Sequence, residues 1–316
     1  LRLSMGIEGA RYVSIIRGSV GIFMFGVQSY FISKSFGYLI RISLFSLDKT
    51  LLDQDIFLIF FFSLNIIDWI SFLFAILLQI FLFSRSHSYN KIFINFSASI
   101  VYLGMISILI LIFSENSKYI LDSFSDILVF DNFFNKNNVG PILAVTGTIF
   151  AYFSIIVVNF GDYSRYVKNE KELKKGNLSL ILNLLIFSLF SVFIVIGSDI
   201  ILNMNLENME RILTSPTDII GKFDNIPLTV VVLFFILIAS ASTNLIANYI
   251  PAQNSLLNFK PNKLNLKSSA FLIGFIGFFI GIFWVPFFSQ IGILSFLDTL
   301  SAFFGPIFAI MVVDYY

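Results

Sequence analysis

Long apolar segments dominate this sequence, and they restrict its possible folds more than any other feature does. Crossing a bilayer as a helix takes about 20 apolar residues. Only 12% of the residues are charged, against about 25% in soluble domains. Because backbone groups in lipid must be paired within the protein, the pattern predicts an all-α polytopic membrane protein rather than a barrel. The predicted segments lie at about 12–33, 56–83, 94–114, 140–160, 177–202, 226–250, 269–287 and 291–313.

The basic residues are divided unevenly between the two sides of these segments. About two thirds of the lysines and arginines precede segment one or follow segments two, four and six, and basic loops stay in the cytoplasm. We therefore expect a multi-pass protein of the plasma membrane with both ends of the chain on the cytoplasmic side. The basic stretch "KNEKELKKGN" also contains acids, which favours a solvated loop over a nucleic-acid site.

The composition argues against an enzyme. The sequence has no cysteine, and its one histidine, His87, lies in a polar loop. It contains neither an HExxH nor a GxSxG motif, so no nucleophile–base pair or metal constellation is visible. Two other classes remain open beside a transporter: a membrane receptor and a structural subunit.

A polar cluster interrupts segment six, where "SASTNLIANYIPAQN" follows a strongly apolar run. Ala239, Ser242 and Thr243 are spaced i, i+3 and i+4, which places them on one face of a helix. A carbonyl and two hydroxyls are ligands for a hard monovalent cation, and we predict sodium. Asn244 and Asn248 form a second pair one turn apart, and Pro251 is expected to break the helix. The alternative is that these groups only join helices to each other.

Segment one contains a second polar residue, Gln28, beside Gly26 in an apolar stretch. Amide side chains offer both donors and acceptors, so two of them could hold the edge of a cyclic lactam or ureide. A flat ring also needs a stacking surface, which segment four could provide. Ordinary packing is the alternative, because the chain contains 41 phenylalanines. The aromatic residues of segment four are Phe150, Tyr152 and Phe153.

Other residues in or near the segments raise separate expectations. Gly147, between two threonines, indicates either an interrupted helix or a packing notch. Asp68 would be a lone acid deep in the membrane, where such a group is costly and usually functional. Asp162 and Arg165 are one turn apart and are expected to form an ion pair.

Four stretches, in order along the chain, resemble the nucleobase:cation symporter-1 family, which includes hydantoin, allantoin, cytosine, uracil and purine permeases. The resemblance covers residues 1–316 and implies one partial transmembrane transporter domain, similar to helices three to ten of a twelve-helix permease. Helices one, two, eleven and twelve would then lie outside the chain. The stretches are "LRLSMGIEGARYVSIIRGSVGIFMFGVQSYF", "VVNFGDYSRYVKN", "STNLIANYIPAQNSLLNFKPNKLN" and "FLDTLSAFFGPIFAIMVVDYY".

The resemblance implies a fold of two inverted five-helix halves, similar to sodium symporters, with the substrate and the cation near the midplane. It assigns Ser242, Thr243 and the carbonyl of Ala239 to the cation. It assigns Gln28 and Asn248 to hydrogen bonds with the substrate.

The same resemblance places Phe153, or Tyr152 one residue earlier, at a stacking aromatic. Met24 stands where many members carry a tryptophan, so Phe23 or Phe25 could replace that stacking surface. Asp298 stands where an asparagine is common.

The sequence therefore predicts a secondary active transporter that imports a nucleobase or a related planar cyclic ureide or lactam by cation symport. Sodium is the expected coupling ion, and no further cofactor is expected. The expected partners are the heterocycle, the monovalent cation and the lipid bilayer, without nucleic acid. The alternative is a proton-coupled permease for a thiamine-precursor pyrimidine or another small heterocycle.

Overall fold

The structure is a computed structural model that describes residues 2–127, 135–205, 216–221 and 225–315. Within these ranges the chain is built from α-helices, with short 3-10 turns at Lys49–Asp53, Asp55–Phe57 and Phe288–Gln290 and a π-helical segment at Asn244–Tyr249. The α-helices are α1 Arg2–Leu47, α2 Ile66–Phe83, α3 His87–Ile127, α4 Lys136–Ser164, α5 Glu170–Asn205, α6 Pro216–Ile220, α7 Ile226–Thr243, α8 Ile250–Phe259, α9 Leu266–Trp284 and α10 Ile293–Tyr315.

Each predicted apolar segment contains a helix in the structure. Among the described residues, 7 helical spans are long and apolar enough to cross a membrane. One of them, Ile226–Phe259, combines α7, the π segment and α8. The eighth predicted segment corresponds to α10, which contributes the shorter apolar stretch Ala302–Asp314.

The predicted start of the second segment is wrong. The apolar residues 56–62 do not form part of α2, which begins at Ile66. The chain makes 3-10 turns first, and Phe62 and Ser63 then adopt positive φ angles. Asn65 ends this connection because its side chain accepts a hydrogen bond from the Asp68 amide and caps the helix.

Asp68 is therefore not a lone acid in the membrane core. Its carboxylate completes the capping box by accepting a hydrogen bond from the backbone amide of Asn65. It also forms an ion pair with Arg41, with 2.7 Å between Nη2 and Oδ1. Both side chains are partly exposed, and the acid lies in the first turn of α2.

The described chain divides into two compact units. The first comprises Leu1–Asn95, Leu143–Arg165 and Ser240–Tyr316. The second comprises Phe96–Ile142 and Tyr166–Ala239.

Close contacts at glycines hold the first unit together. A Cβ atom added at Gly21 of α1 would lie 2.9 Å from the carbonyl oxygen of Asn248. One added at Gly26 would lie 2.6 Å from the carbonyl oxygen of Gly277 in α9. Small residues let membrane helices approach this closely. Helix α1 therefore packs directly against the π segment and against α9.

Helix α9 contributes one glycine-lined face to these contacts. Gly274, Gly277 and Gly281 recur at helical spacing, so they lie on one side of the helix. Ile80 and Phe72 of α2 pack at the first and the last of them, and Phe25 of α1 packs at the middle one. The absence of side chains on α9 thus makes room for large side chains from two other helices.

The second unit uses the same principle on other helices. Gly104 of α3 makes room for the ring of Phe235 in α7, and Gly197 of α5 makes room for Ile112 of α3. Ile112, Ile120 and Ile194 form its buried apolar cluster.

Candidate functional site

The π-helical segment directly follows the predicted cation residues. Here the amide of Ile250 donates to the carbonyl of Leu245, five residues back, instead of four as in an α-helix. The next carbonyl, that of Ile246, would pair with residue 251, but Pro251 has no N–H. The hydroxyl of Tyr163 in α4 donates to this carbonyl at 2.8 Å. The predicted break at Pro251 is therefore wrong, and the proline lies in the first turn of α8.

Four buried polar side chains meet beside this segment. Asn244 donates its Nδ2 to Oε1 of Gln79 at 2.7 Å. Asn248 donates its Nδ2 to Oδ1 of Asn244 at 2.9 Å, which confirms the predicted pair of amides. Ser29 of α1 completes the group by accepting from Gln79 and Asn244. We call Ser29, Gln79, Asn244 and Asn248 the amide network.

Two members of the amide network, Ser29 and Gln79, were not predicted from the sequence. Gln79 carries the one side-chain amide within α2, an otherwise strongly apolar helix. An amide in such a helix is costly unless it is paired, so its isolated position in an apolar stretch could have identified Gln79 from the sequence. Ser29 is adjacent to Gln28, but serines are common in this chain, so its role depends on knowing which helices touch.

Gln28 lies on the side of α1 that also carries Arg17, Gly21 and Met24, since these residues are spaced at intervals of three and four. This side contacts the π segment at Gly21 and α4 at Arg17. Gln28 is half-buried. It makes no hydrogen bond with any described residue, so its amide remains available.

The residues considered for stacking occupy different environments. Met24 is buried in an apolar cluster with Val158 of α4 and Phe304 of α10. The ring of Phe23 stacks on Phe296, with the centroids 4.2 Å apart, and the fully buried ring of Phe25 lies 6.1 Å from that of Tyr249. Phe23 and Phe25, the two candidates for the stacking surface that Met24 does not provide, therefore already have aromatic neighbours.

In α4, Phe153 is half-buried and Phe150 is exposed, whereas the side chain of Tyr152 lies outside the described residues, as does that of Asp298 in α10. The predicted interruption at Gly147 is wrong, because α4 is continuous from Lys136 to Ser164. A packing notch is not found there either. A Cβ added at Gly147 would meet no atom of the described residues within 4 Å.

The three predicted cation residues lie in the last two turns of α7. Ala239 and Ser242 are half-buried, whereas Thr243, the last residue before the π segment, is exposed. All three residues precede the change in helical hydrogen bonding at Asn244.

A buried ion pair joins α1 to α4. Arg17 contacts the carboxylate of Asp162 through Nη2 and donates Nε to Oδ1 of Asn159. Both charged side chains are 9% exposed, so each needs the other to compensate for its lost hydration. From the sequence we expected Asp162 to pair with Arg165, three residues later, and this partner from another helix was missed.

Comparisons with known proteins identify several relatives. The chain is 25% identical over 166 residues to the purine-uracil permease NCS1 of Arabidopsis thaliana, a match that covers 52% of this chain and 26% of that protein. It is 24% identical over 177 residues to the allantoin permease of Bacillus subtilis, covering 56% and 34%. A further relative, from Escherichia coli, is 25% identical over 323 residues, which is 100% of this chain and 62% of that relative. The chain thus spans less than two thirds of the length of the curated relatives it matches.

No solved structure matches the chain. The sequence pattern of one permease family, by contrast, matches all of residues 1–316. This match covers the α1 stretch with Gln28, the π segment and α10, which are the parts that carried the resemblance in the sequence. The chain therefore belongs to the family of permeases for cytosine/purines, uracil, thiamine and allantoin.

Proposed function

We propose that this membrane protein imports a nucleobase or a cyclic ureide such as allantoin, and that Gln28 and Asn248 bind the heterocycle. The observation that carries the proposal is a pair of amides with unused hydrogen-bonding capacity inside apolar helices. Gln28 bonds to no described residue, and Asn248 is buried with one hydrogen bond, to Asn244. Buried polar groups are normally satisfied, so unused capacity favours a polar ligand.

The family and the relatives support the class of substrate. The relatives bear the names of a purine-uracil permease and an allantoin permease. These rings are planar and alternate C=O with N–H along their edges. Amides present the same two groups, so the side chains of Gln28 and Asn248 together can donate to the C=O and accept from the N–H of such an edge. Phe153, or Tyr152 beside it, would supply the stacking surface, and Met24 would border the pocket.

Transport is coupled, in this proposal, to sodium. The carbonyl of Ala239 and the hydroxyls of Ser242 and Thr243 would bind the ion, because sodium prefers oxygen ligands. A potential of about 100 mV supplies roughly 2.3 kcal/mol per charge. A tenfold sodium gradient adds about 1.4 kcal/mol. Together these terms would sustain accumulation of the substrate of several hundredfold. An outward-open state would bind both ligands, and the helices would then turn about the site to release them inside.

Uptake measurements test this proposal. Cells that lack their own permeases would express the protein and be offered uracil, cytosine, hypoxanthine, adenine, allantoin and hydantoin, with sodium present or replaced by choline at fixed pH. We expect saturable uptake of at least one ring and a fall in uptake without sodium. Unchanged uptake in choline would contradict sodium coupling. Binding without uptake would favour a receptor, and failure of every ring to bind would contradict the substrate class.

A double substitution tests the ion ligands separately. Replacing Ser242 and Thr243 by alanine removes two proposed oxygen ligands, so the sodium stimulation of uptake should be lost while uptake at saturating substrate without sodium is unchanged. Ser240→Ala, which removes a hydroxyl from the same turn but from outside the proposed triad, is the matched control. Equal sodium stimulation in the double variant and in the control would exclude this site.

A further inference from the structure

The hydrogen bonds of the amide network all run in one direction, and backbone carbonyls fix that direction. Nε2 of Gln79 donates to the carbonyl oxygen of Ala75 at 3.1 Å. A backbone carbonyl can only accept, so the nitrogen end of the Gln79 amide must point toward its own helix. Its oxygen end, Oε1, consequently points toward Asn244.

Asn244 is fixed in the same way. Its Nδ2 faces two oxygens that can only accept: Oε1 of Gln79 at 2.7 Å and the carbonyl oxygen of Phe25 at 3.3 Å. The oxygen end of the Asn244 amide is therefore turned toward Asn248. Asn248 has to donate its Nδ2 to that oxygen, which it does at 2.9 Å.

Ser29 prevents the whole set from reversing. Its hydroxyl donates to the carbonyl oxygen of Phe25 at 2.7 Å. It accepts from Nε2 of Gln79 at 3.1 Å. It also accepts from Nδ2 of Asn244 at 3.3 Å, which shares one hydrogen between this hydroxyl and the carbonyl of Phe25. A hydroxyl has one donor and two acceptor positions, so all of its capacity is used. Turning either amide around would place two acceptors or two donors face to face in a buried site, which is costly.

We propose that Gln79 and Ser29 are positioning residues that hold the Asn248 amide with its nitrogen toward Asn244 and its oxygen toward the substrate. This inference rests on the proposed function, in which Asn248 binds the heterocycle. No described residue donates a hydrogen bond to Oδ1 of Asn248, so that oxygen is available to accept one. The site then selects rings that offer an N–H at the edge facing Asn248.

The naturally occurring rings provide matched pairs for this selection. Uracil and hypoxanthine carry an N–H beside a C=O on one edge of the pyrimidine ring. Cytosine and adenine carry the reverse pattern there, a bare ring nitrogen beside an amino group. An oxygen fixed opposite the ring nitrogen of that edge meets a donor in the first two rings and a lone pair in the other two. We expect the fixed amide to favour uracil over cytosine and hypoxanthine over adenine.

Two variants would release the amide without touching the substrate. Gln79→Met keeps the length and apolar bulk of the side chain but removes the acceptor for Asn244. Ser29→Ala is the milder change and removes the hydroxyl that blocks reversal. Ser33→Ala is the matched control, because Ser33 is a buried serine one turn further along α1. Within the described part of the chain its hydroxyl bonds only to the carbonyl of Tyr30 in its own helix.

The first measurement needs no ligand. The full chain would be labelled on its asparagine side chains, placed in lipid nanodiscs, and examined by nuclear magnetic resonance for hydrogen exchange of the Asn248 side-chain amide. We expect exchange about tenfold faster in Gln79→Met and in Ser29→Ala than in the parent, because a hydrogen-bonded network has been opened. Ser33→Ala should exchange like the parent. Parent-like exchange in both Gln79→Met and Ser29→Ala would overturn the proposal.

The second measurement tests whether the protein distinguishes the two rings of each pair. Dissociation constants for uracil, cytosine, hypoxanthine and adenine would be compared in the parent and in the three variants. In the parent we expect about tenfold tighter binding of the N–H member of each pair that binds. In Gln79→Met and Ser29→Ala the ratio of the two dissociation constants within each pair should fall toward one, while the tighter ligand still binds. Ser33→Ala should show the same ratio as the parent.

The outcomes separate the two proposals. If rings bind and the ratio is the same in all four proteins, the positioning role is overturned and the transport proposal stands. Tighter binding of cytosine or adenine in the parent would also overturn it. If the parent binds none of the rings, the proposed substrate class is wrong. The proposed hydrogen bond from a ring N–H to Asn248 is then wrong as well. The exchange measurement would still show whether Gln79 and Ser29 hold the amide.

Discussion

Asn248 and Gln28 differ in how much of their hydrogen-bonding capacity the protein itself uses. Asn248 is tied to Asn244 at one end, and its neighbours are in turn tied to α1 and α2. Gln28 is half-buried on α1 and bonds to no described residue. A ligand held by both would therefore meet one amide with a fixed direction and one that can turn to fit it.

This difference leads to a prediction for the two alanine variants. Asn248→Ala removes a proposed ligand contact and leaves Oδ1 of Asn244 without its donor, so substrate affinity should fall by about 10- to 100-fold and stability should fall as well. Gln28→Ala should lower the affinity without lowering the stability. Binding and thermal unfolding in detergent measure the two effects. Near-parental affinity in both variants would place the pocket elsewhere.

At this scale the sequence predicted contacts within one helix and missed those between helices. The pair of Asn244 and Asn248 follows from a spacing of four, which puts the two amides one above the other. The partner of Asn244, Gln79, is 165 positions away, and its role depends on how α1, α2 and the π segment meet. For the same reason Asp162 was assigned to nearby Arg165, whereas Arg17, 145 positions away, is its buried partner.

At the level of helices, the π segment depends on a group from outside its own helix. The carbonyl of Ile246 accepts from the hydroxyl of Tyr163, because the residue that would serve it is Pro251. No pattern in the sequence shows this substitution of a side-chain donor for a missing amide. The proline indicated a break, and the structure shows a continuous span with one externally satisfied carbonyl.

Tyr163→Phe should consequently destabilise the protein. The change leaves a partly buried carbonyl unpaired, at a cost of about 1–3 kcal/mol. A lower temperature of thermal unfolding in detergent is the expected result. Tyr12→Phe is the control, since Tyr12 is 69% exposed. An unchanged unfolding temperature for Tyr163→Phe would mean that the hydroxyl is not the donor on which this carbonyl depends.

The glycine-lined face of α9 gives a second prediction about helices. A Cβ atom at Gly277 would lie 2.7 Å from Cδ1 of the fully buried Phe25, so Gly277→Ala should cost about 1–3 kcal/mol through overpacking. Gly161→Ala in α4 is the matched control, because an added Cβ there meets no described atom within 4 Å. The control should unfold at the parental temperature or above it. If both variants unfold alike, the contact between α1 and α9 is looser than described.

For the whole molecule, hydrophobicity predicted the number of segments well and their ends less well. The run of apolar residues at 56–62 has the composition of a membrane helix but forms turns before the cap at Asn65. Composition reports which residues avoid water, whereas a cap depends on particular side chains reaching particular amides. The exposed leucines, isoleucines and phenylalanines along α5 are accounted for by a lipid environment.

The orientation in the membrane can be tested directly, because these 316 residues include no cysteine. Single cysteines would be introduced at the exposed positions Lys168, between α4 and α5, and Asp53, between α1 and α2. The distribution of basic residues predicts that a membrane-impermeant thiol reagent labels Asp53→Cys in intact cells. Lys168→Cys should react only after the membrane is opened. The opposite pattern would invert the proposed topology.

The π segment also changes how positions along its helix must be counted. A π turn contains one residue more than α-helical spacing accommodates, so every side chain after Tyr249 is rotated by about 100° from where an unbroken α-helix would put it. Gln253 owes its contacts with Leu266 and Ser269 of α9 to this offset. Deleting a single residue between Asn244 and Tyr249 would rotate Gln253 away from both of them. A relative that lacks the additional residue of the π turn would present a different surface to α9 even if the rest of its sequence were the same.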